Sequence, residues 1–192
     1  MSNIHRLAVY CGSAPGSTEN FADATRATAK AMTEAGVDLV YGGGRLGLMG
    51  LVADSVLANG GKVFGVIPHA LVDLEVAHTG LTELYRVANM HERKAKMTDL
   101  ADAFLALPGG IGTLDELFEA WSWNALGYHA KPFCLLNVDG FWDGLIEFCD
   151  HARDSGFMSQ QRRDQLLVAS TPDEALKLLD EAAAAATQGM VW

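Results

Sequence analysis

The segment Pro108-Gly-Gly-Ile-Gly-Thr-Leu-Asp-Glu116 combines three glycines, a hydroxyl side chain and two carboxylates. Glycine lets a ligand approach the backbone closely, and the free N–H groups at the start of a helix attract phosphate. We predict that a helix begins here with Thr113 as its N-cap, and that the backbone before it holds an anion. The segment therefore predicts an anion site beside a carboxylate, Glu116.

Glu116 has a second interpretation. Thr113-x-x-Glu116 has the spacing of a capping box, in which the glutamate accepts a hydrogen bond from the backbone N–H of the cap residue and stabilises the helix. The spacing alone leaves both the catalytic and the stabilising role open.

A second cluster of chemically active residues is Met90-His-Glu-Arg-Lys-Ala-Lys-Met97, which concentrates basic side chains in an acidic chain. Neighbouring helical residues point about 100° apart, so Arg93 and Lys94 cannot both face one ligand, and one of them is expected to be structural. Arginine suits phosphate or carboxylate better, because its planar fork makes two parallel hydrogen bonds. A solvated helix face is the alternative interpretation.

Gly42-x-Gly44-x-x-Gly47 matches the dinucleotide-binding fingerprint. That fingerprint expects an acidic residue near the end of the next strand, but here this strand ends Gly65-Val-Ile-Pro68. The chain also has no Gly-Lys-Ser/Thr triplet of the phosphate-binding P-loop. These departures disfavour nicotinamide cofactors and ATP-driven chemistry.

Neither a metal nor a cofactor is expected. The histidines and the three cysteines (Cys11, Cys134 and Cys149) show no C-x-x-C or H-x-x-x-H spacing. We expect the cysteines to be reduced and mostly buried, with Cys11 as a buried apolar residue rather than a catalytic thiol.

Length and charge narrow the class further. The 192 residues are 49% hydrophobic, which predicts one domain over residues 1–192. The net charge of −10 disfavours nucleic acid as a partner. No stretch of about 18 apolar residues lacks a charge or a glycine, so no membrane partner is expected. Since residues 1–10 resemble neither a signal nor a transit segment, we expect a cytoplasmic protein.

Apolar segments alternate with segments of helical periodicity, which predicts a parallel sheet with helices on both faces. The predicted strands are Leu7–Tyr10, Val37–Tyr41, Lys62–Ile67, Ala103–Leu107 and Pro132–Leu136. The predicted helices are Phe21–Ala35, Leu48–Asn59, Met90–Leu100, Leu114–Leu126, Trp142–Ser155 and Pro172–Ala185, followed by a flexible tail, 187–192. Glycine-rich turns follow three of the strands, at the sheet edge where ligands bind in such folds.

Several of these segments together resemble the LOG (Lonely Guy) family of cytokinin riboside 5′-monophosphate phosphoribohydrolases, long mislabelled as possible lysine decarboxylases. The similarity runs from about Leu7 to Thr171. The segments are Cys11-Gly-Ser13, Tyr41-Gly-Gly-Gly44, Gly47-Leu-Met-Gly50, Gly65-Val-Ile-Pro68, Met90-His-Glu-Arg-Lys-Ala95, Pro108-Gly-Gly-Ile-Gly-Thr113 with Glu116, and Leu136-Asn-Val-Asp-Gly140.

The resemblance implies a single-domain Rossmann-like α/β fold, usually assembled as a homodimer. It implies cleavage of the N-glycosidic bond of an N6-modified adenosine 5′-monophosphate, and of AMP as a further candidate, to the free base and ribose 5-phosphate. The catalytic pair implied is Arg93 and Glu116. The implied substrate contacts are Glu75, Arg93, Lys94, Gly109, Gly110, Ile111, Gly112, Thr113, Leu114, Asp115, Glu116 and Ser122.

Within this scheme the Gly109–Thr113 backbone holds the 5′-phosphate, and Glu116 either activates water or attacks the sugar directly. Glu75 lies in the Pro68–Gly80 connection, which we expect to form a loop over the site. Plant members of the family typically have Tyr at Ile111 and Thr at Ser122, so these positions bear on substrate preference.

The alternative functions are a nicotinamide-linked oxidoreductase and a nucleotide-binding module without catalysis. A pyridoxal-phosphate decarboxylase is disfavoured, because no lysine is singled out for a Schiff base.

Overall fold

A parallel β-sheet forms the centre of the protein. The computed structural model describes residues 3–72, 74 and 76–188. The strands of this part of the chain are β1 (Arg6–Tyr10), β2 (Asp38–Tyr41), β3 (Val63–Pro68), β4 (Glu83–Val87), β5 (Ala103–Ala106), β6 (Phe133–Leu136) and β7 (Leu166–Ala169). All neighbouring pairs are parallel, in the order β4-β3-β2-β1-β5-β6-β7.

This strand order places a crevice at the middle of the sheet. The chain runs outward from β1 to β4 and then crosses to the other side of β1, where β5 pairs with it from Leu7↔Ala103 to Tyr10↔Ala106. In open parallel sheets, ligands bind at the carboxyl ends of the strands where the order reverses in this way. The turns after β1 and β5 are therefore where a site is expected.

Helices cover both faces of the sheet, as the sequence predicts. The helices are α1 (Glu19–Glu34), α2 (Gly47–Ala58), α3 (Met90–Leu100), α4 (Ile111–Ala125), α5 (Asp143–Asp154), α6 (Gln160–Asp164) and α7 (Pro172–Gln188), with 3₁₀ turns at His69–Leu71 and Val138–Gly140. One apolar cluster joins α1, α2 and α7 to one face, and another joins α3, α4 and α5 to the other. The Rossmann-like α/β fold is confirmed.

Several features differ from the sequence-based predictions. Strands β4 and β7 and the short helix α6 were not predicted. Helix α4 begins at Ile111, three residues before its predicted start at Leu114. Helix α7 continues to Gln188, so the first two residues of the predicted tail are helical, and residues 189–192 lie outside the described part of the chain.

The predicted state of the cysteines is confirmed, since Cys11, Cys134 and Cys149 are all free and buried. Among the helices of the described residues, none has the length and apolar character needed to cross a membrane.

Candidate active site

Three glycine-rich turns meet at the carboxyl edge of the sheet. The Gly12 N–H donates to Pro108 O at 3.1 Å, which joins the turn after β1 to the turn after β5. The Met49 N–H donates to Gly12 O at 3.3 Å and brings in the start of α2. A Cβ on Gly47, which has φ of 56°, would overlap the backbone of Ser13, so this approach requires glycine.

The start of α4 corrects the predicted cap. Thr113 is not the N-cap: Gly110 takes that position in an extended conformation, and as a glycine it has no side chain with which to cap the helix. Thr113 is instead the third helical residue and is buried, with its hydroxyl packed so closely on Gly109 that a Cβ there would overlap it. The capping box that the Thr113-x-x-Glu116 spacing allowed is therefore absent at this helix start.

This first turn of α4 faces a cavity of about 210 Å³. Its lining residues are Cys11, Gly12, Ser13, Met49, Leu71, Met90, Arg93, Gly110, Ile111, Gly112, Thr113, Asp115 and Glu116. Among the described residues, no atom outside the chain neighbours and the backbone of α4 itself lies within 4 Å of the point where a Cβ on Gly110 or Gly112 would be, so the backbone there is open to a ligand. Exposed N–H groups and the positive end of the helix dipole favour an anion in this space.

Arg93 reaches the cavity from the first turn of α3. Its side chain is buried, and the guanidinium Nη2 donates to Gly42 O at 2.8 Å, across the turn that follows β2. A Cβ on Gly42 would overlap the guanidinium, so only glycine allows this approach. The first glycine of the apparent dinucleotide fingerprint thus serves to hold Arg93.

Glu116 lies one turn into α4 and lines the same cavity as Arg93. Burial raises the pKa of Tyr10 and of the Cys11 thiol, and the negative charge of Glu116 raises both further. The carboxylate is therefore close to the end of β1. Because its pKa is raised, Cys11 stays a neutral thiol, which is the form expected of a buried apolar residue rather than a nucleophile.

Lys94 is not among the residues that line the cavity, although its partner Asp115 is. Its ammonium group pairs with Asp115 Oδ2 at 3.1 Å and with Glu119, and it ties α3 to α4. Burial lowers the pKa of Lys94, but its hydrogen bonds to Glu119 and Asp115 and their charges outweigh this and raise it. Of the two adjacent cations, Arg93 faces the cavity and Lys94 joins helices. A substrate contact by Lys94 stays a prediction.

The remaining predicted contacts lie in different places. Ser122 is exposed in a groove of about 530 Å³ along α4, which it shares with Leu114 and which meets the cavity at Ile111 and Asp115. Glu75 lies outside the described residues. The connection that contains it does reach the site, because Leu71 lines the cavity.

The sequence interpretation missed several lining residues. Met49, Leu71 and Met90 have apolar side chains that suggest no chemical role by themselves, and only the folded chain shows that they line the cavity. The role of the Gly42 carbonyl was also missed, although the glycine run there was a usable signal. Among the described residues, no three His, Cys, Asp or Glu side chains form a group able to hold a metal ion.

Together, the parallel sheet, the cavity at its switch point and the open helix start define a Rossmann-like protein suited to bind a small anionic ligand. The family model described as "Possible lysine decarboxylase" matches residues 49–179. The chain is 47% identical over 191 residues to "Cytokinin riboside 5'-monophosphate phosphoribohydrolase LOG" of Oryza sativa subsp. japonica, which covers 100% of this chain and 79% of that protein.

A relative from Arabidopsis thaliana with the same enzyme name is 45% identical over 180 residues, covering 94% of this chain and 84% of that protein. The chain belongs to the LOG family. The molybdenum cofactor carrier protein from Chlamydomonas reinhardtii has a similar structure, with a TM-score of 0.70 and 20% identity over 93% of this chain and 98% of that chain. At that identity the likeness concerns the fold alone.

Proposed function

We propose that this protein is a phosphoribohydrolase that cleaves the N-glycosidic bond of N6-modified adenosine 5′-monophosphates. The products are the free base and ribose 5-phosphate, and AMP is a further candidate substrate. The observation that carries the proposal is one cavity that combines the open start of α4 with Arg93 and Glu116. Its sequence relatives from rice and Arabidopsis bear the name of this activity.

The 5′-phosphate would bind at the first turn of α4. Gly110 and Gly112 leave space beside the backbone, and the N-cap residue, Gly110, has no side chain to compete for the first N–H groups of the helix. Such a helix start binds phosphate even in a protein with a net charge of −10. Holding the phosphate fixes the ribose relative to Glu116, and this binding energy contributes to the transition state as well as to affinity.

Glu116 would act at the anomeric carbon of the ribose. As the C1′–N9 bond breaks, the sugar gains oxocarbenium character and the electron pair leaves with the base, so a carboxylate near C1′ stabilises the transition state. We favour Glu116 as the base that takes a proton from the attacking water, whose oxygen forms the new bond to C1′. Arg93 would hold the substrate or stabilise the developing negative charge from its position on Gly42.

The proposal is tested by incubating the purified protein with N6-isopentenyl-AMP, AMP and the two corresponding ribosides. Released bases are separated by chromatography, and ribose 5-phosphate is measured enzymatically. We expect base and ribose 5-phosphate in equal amounts from a monophosphate, and a rate at least about 100-fold lower from its riboside. Tight nucleotide binding without base release would instead favour a binding module. Equal rates on a monophosphate and its riboside would show that the proposed phosphate site plays no part in the reaction.

We further propose that two copies associate through the outer face of α4. Ile111 is 87% exposed, Phe118 is 38% exposed, and nearby Phe157 is 91% exposed. Phe118 and Phe157 also line a groove of about 280 Å³ with Ser122. Exposed apolar surface of this kind marks interaction sites. A second copy here would cover Ser122 and close the groove that meets the cavity.

Sedimentation analysis tests this association. Phe118→Asp is expected to give a monomer, whereas Phe148→Asp, which alters a 62% exposed phenylalanine on α5, is expected to leave the dimer intact. A monomeric wild-type protein at micromolar concentration would contradict the association.

We also propose that the protein is located in the cytoplasm, which the three free cysteines support.

A further inference from the structure

A short segment, residues 76–80, crosses the turn that follows β2, and we call it the strap. The Arg45 N–H donates to Val76 O at 3.0 Å, and the His78 N–H donates to Gly43 O at 2.9 Å. Between these bonds, Gly44 and Ala77 form an antiparallel bridge. The strap therefore holds the backbone of residues 43–45 by backbone pairing.

His78 anchors the strap through its side chain. The imidazole is 5% exposed, its Nδ1 accepts a hydrogen bond from the Gly80 N–H at 3.0 Å, and its Nε2 lies 2.9 Å from Asp54 Oδ1 on α2. Because Nδ1 accepts, the proton of the neutral ring is on Nε2 and is donated to Asp54. The His78 side chain thus joins the Gly80 end of the strap to helix α2.

The backbone of the strap is strained at Val76, which has φ of 50°. A β-branched residue in the left-handed region is a genuine outlier, and such strain persists only where the surrounding structure holds it in place. Here the bonds of Val76 and His78 to the β2 turn, and the His78–Asp54 contact, supply that restraint. Strained segments of this kind concentrate near functional sites.

The turn held by the strap also holds Arg93. Gly43, which accepts from His78, follows Gly42, whose carbonyl oxygen accepts from the guanidinium at 2.8 Å. The contact is so close that a single methyl group on Gly42 would overlap Arg93. A shift of the turn by a few tenths of an ångström would therefore move the guanidinium within the cavity.

We propose that His78 and Asp54 are positioning residues for the reaction, which act by fixing the β2 turn that holds Arg93. The inference rests on the proposed function. The two side chains do not line the cavity, so they act through Gly43 and Gly42 rather than on the substrate.

Kinetics of matched variants test the proposal. His78→Ala and Asp54→Ala are each expected to lower the kcat of the folded enzyme about tenfold on N6-isopentenyl-AMP, since small misplacements of a catalytic group have effects of this size or larger. The double variant is expected to be no slower than either single one, because the two residues act as one unit. Asp54→Asn keeps an acceptor for Nε2 and is expected to recover most of the rate. His151→Ala, an exposed histidine on α5, is the control.

Hydrogen exchange gives a readout independent of activity. In His78→Ala, the amide at position 78 is expected to exchange about tenfold faster than in the wild type, while β1 amides stay protected. Wild-type kcat in a folded His78→Ala enzyme would overturn the positioning role. Unchanged amide exchange at position 78 would show that the His78 side chain does not hold the strap in place. If the wild-type protein cleaves no nucleotide, the proposed function fails, whereas the exchange experiment still decides whether His78 holds the strap.

Discussion

Helices α3 and α4 both bring a glutamate close to their first turn, three residues after a polar residue, yet the two starts are built differently. At α3, Asn89 Oδ1 accepts from the Glu92 N–H at 2.9 Å, and Glu92 Oε2 accepts from the Ala88 N–H at 2.9 Å. At α4, the helix begins before Thr113, and Gly110 offers no side-chain oxygen to the first N–H groups.

The start of α3 is therefore built to stabilise the fold, whereas the start of α4 is available to bind a ligand. At the α3 start the Asn89 side chain satisfies the Glu92 N–H, and both side chains are exposed on the surface. The α4 start leaves its N–H groups open to a cavity, and its glutamate, Glu116, lines that cavity beside Arg93. At α3 the polar residue precedes the helix and its side chain caps it, whereas at α4 Thr113 lies inside the helix and is not the cap.

Replacing the two glutamates in parallel gives the largest expected contrast. Glu116→Gln is expected to lower the rate of base release on the order of 10²–10⁴-fold in a folded protein, because it removes a positioned base. Glu92→Gln keeps an oxygen for the Ala88 N–H and is expected to leave the rate unchanged. Circular dichroism checks folding. Near-normal turnover by a folded Glu116→Gln variant would show that Glu116 does not act as the catalytic base.

Gly42→Ala is expected to have the next largest effect. The new methyl group overlaps the Arg93 guanidinium and displaces it, with an expected loss of about 10- to 100-fold in kcat/KM. Gly144→Ala is the matched control, since among the described residues no atom outside its chain neighbours and its own helix backbone lies within 4 Å of a Cβ at that position. Equal activity of the two variants would show that Arg93 needs no fixed position.

Gly112→Ala is expected to change stability and binding in opposite directions. Alanine within a helix raises the free energy of unfolding by about 0.5–1 kcal/mol relative to glycine. The same methyl group enters the space open to the phosphate, so KM is expected to rise about fivefold, equivalent to weakening one hydrogen bond. Thermal unfolding and Michaelis kinetics measure the two effects. A more stable variant with unchanged KM would place the phosphate elsewhere.

Lys94→Gln is expected to give the smallest effect, a loss of about 1 kcal/mol in the free energy of unfolding, as for a partly exposed ion pair. Because the folded pKa of Lys94 is raised, its stabilisation is fully present below pH 10.5 and is lost as the pH rises through the higher folded value. Urea titrations at pH 8 and pH 11 measure this. If the wild type exceeds Lys94→Gln in free energy of unfolding by the same amount at pH 11 as at pH 8, the ion pair of Lys94 is not the source of the difference.

Strong periodicity made the buried part of the fold predictable from sequence. The central strands are apolar throughout, as in Ala103–Ala106, and α3 was predicted with its observed bounds. Strands β4 and β7 are the two edges of the sheet, and β4 (Glu-Leu-Tyr-Arg-Val) mixes exposed charges with half-buried residues. Edge strands commonly carry such residues, which hide their pattern.

The sequence predicted those site residues that belong to a motif with a chemical reason. It did not predict the contacts that only tertiary packing creates. The glycines before Glu116 and the basic segment around Arg93 identified the cavity, because both patterns have a chemical reason. The partners of Lys94 lie 21 and 25 residues away on another helix, so local spacing contains no signal for them. The predicted helix began after Gly112, yet the observed helix includes this glycine, since helical propensity is readily overridden by tertiary structure.

The position of a bound phosphate tests the central claim most directly. A crystal structure with ribose 5-phosphate is predicted to show phosphate oxygens about 3 Å from the backbone nitrogens at the start of α4, with C1′ next to the Glu116 carboxylate. Phosphate bound away from Gly110–Thr113, or a Glu116 side chain turned away from C1′, would contradict the account.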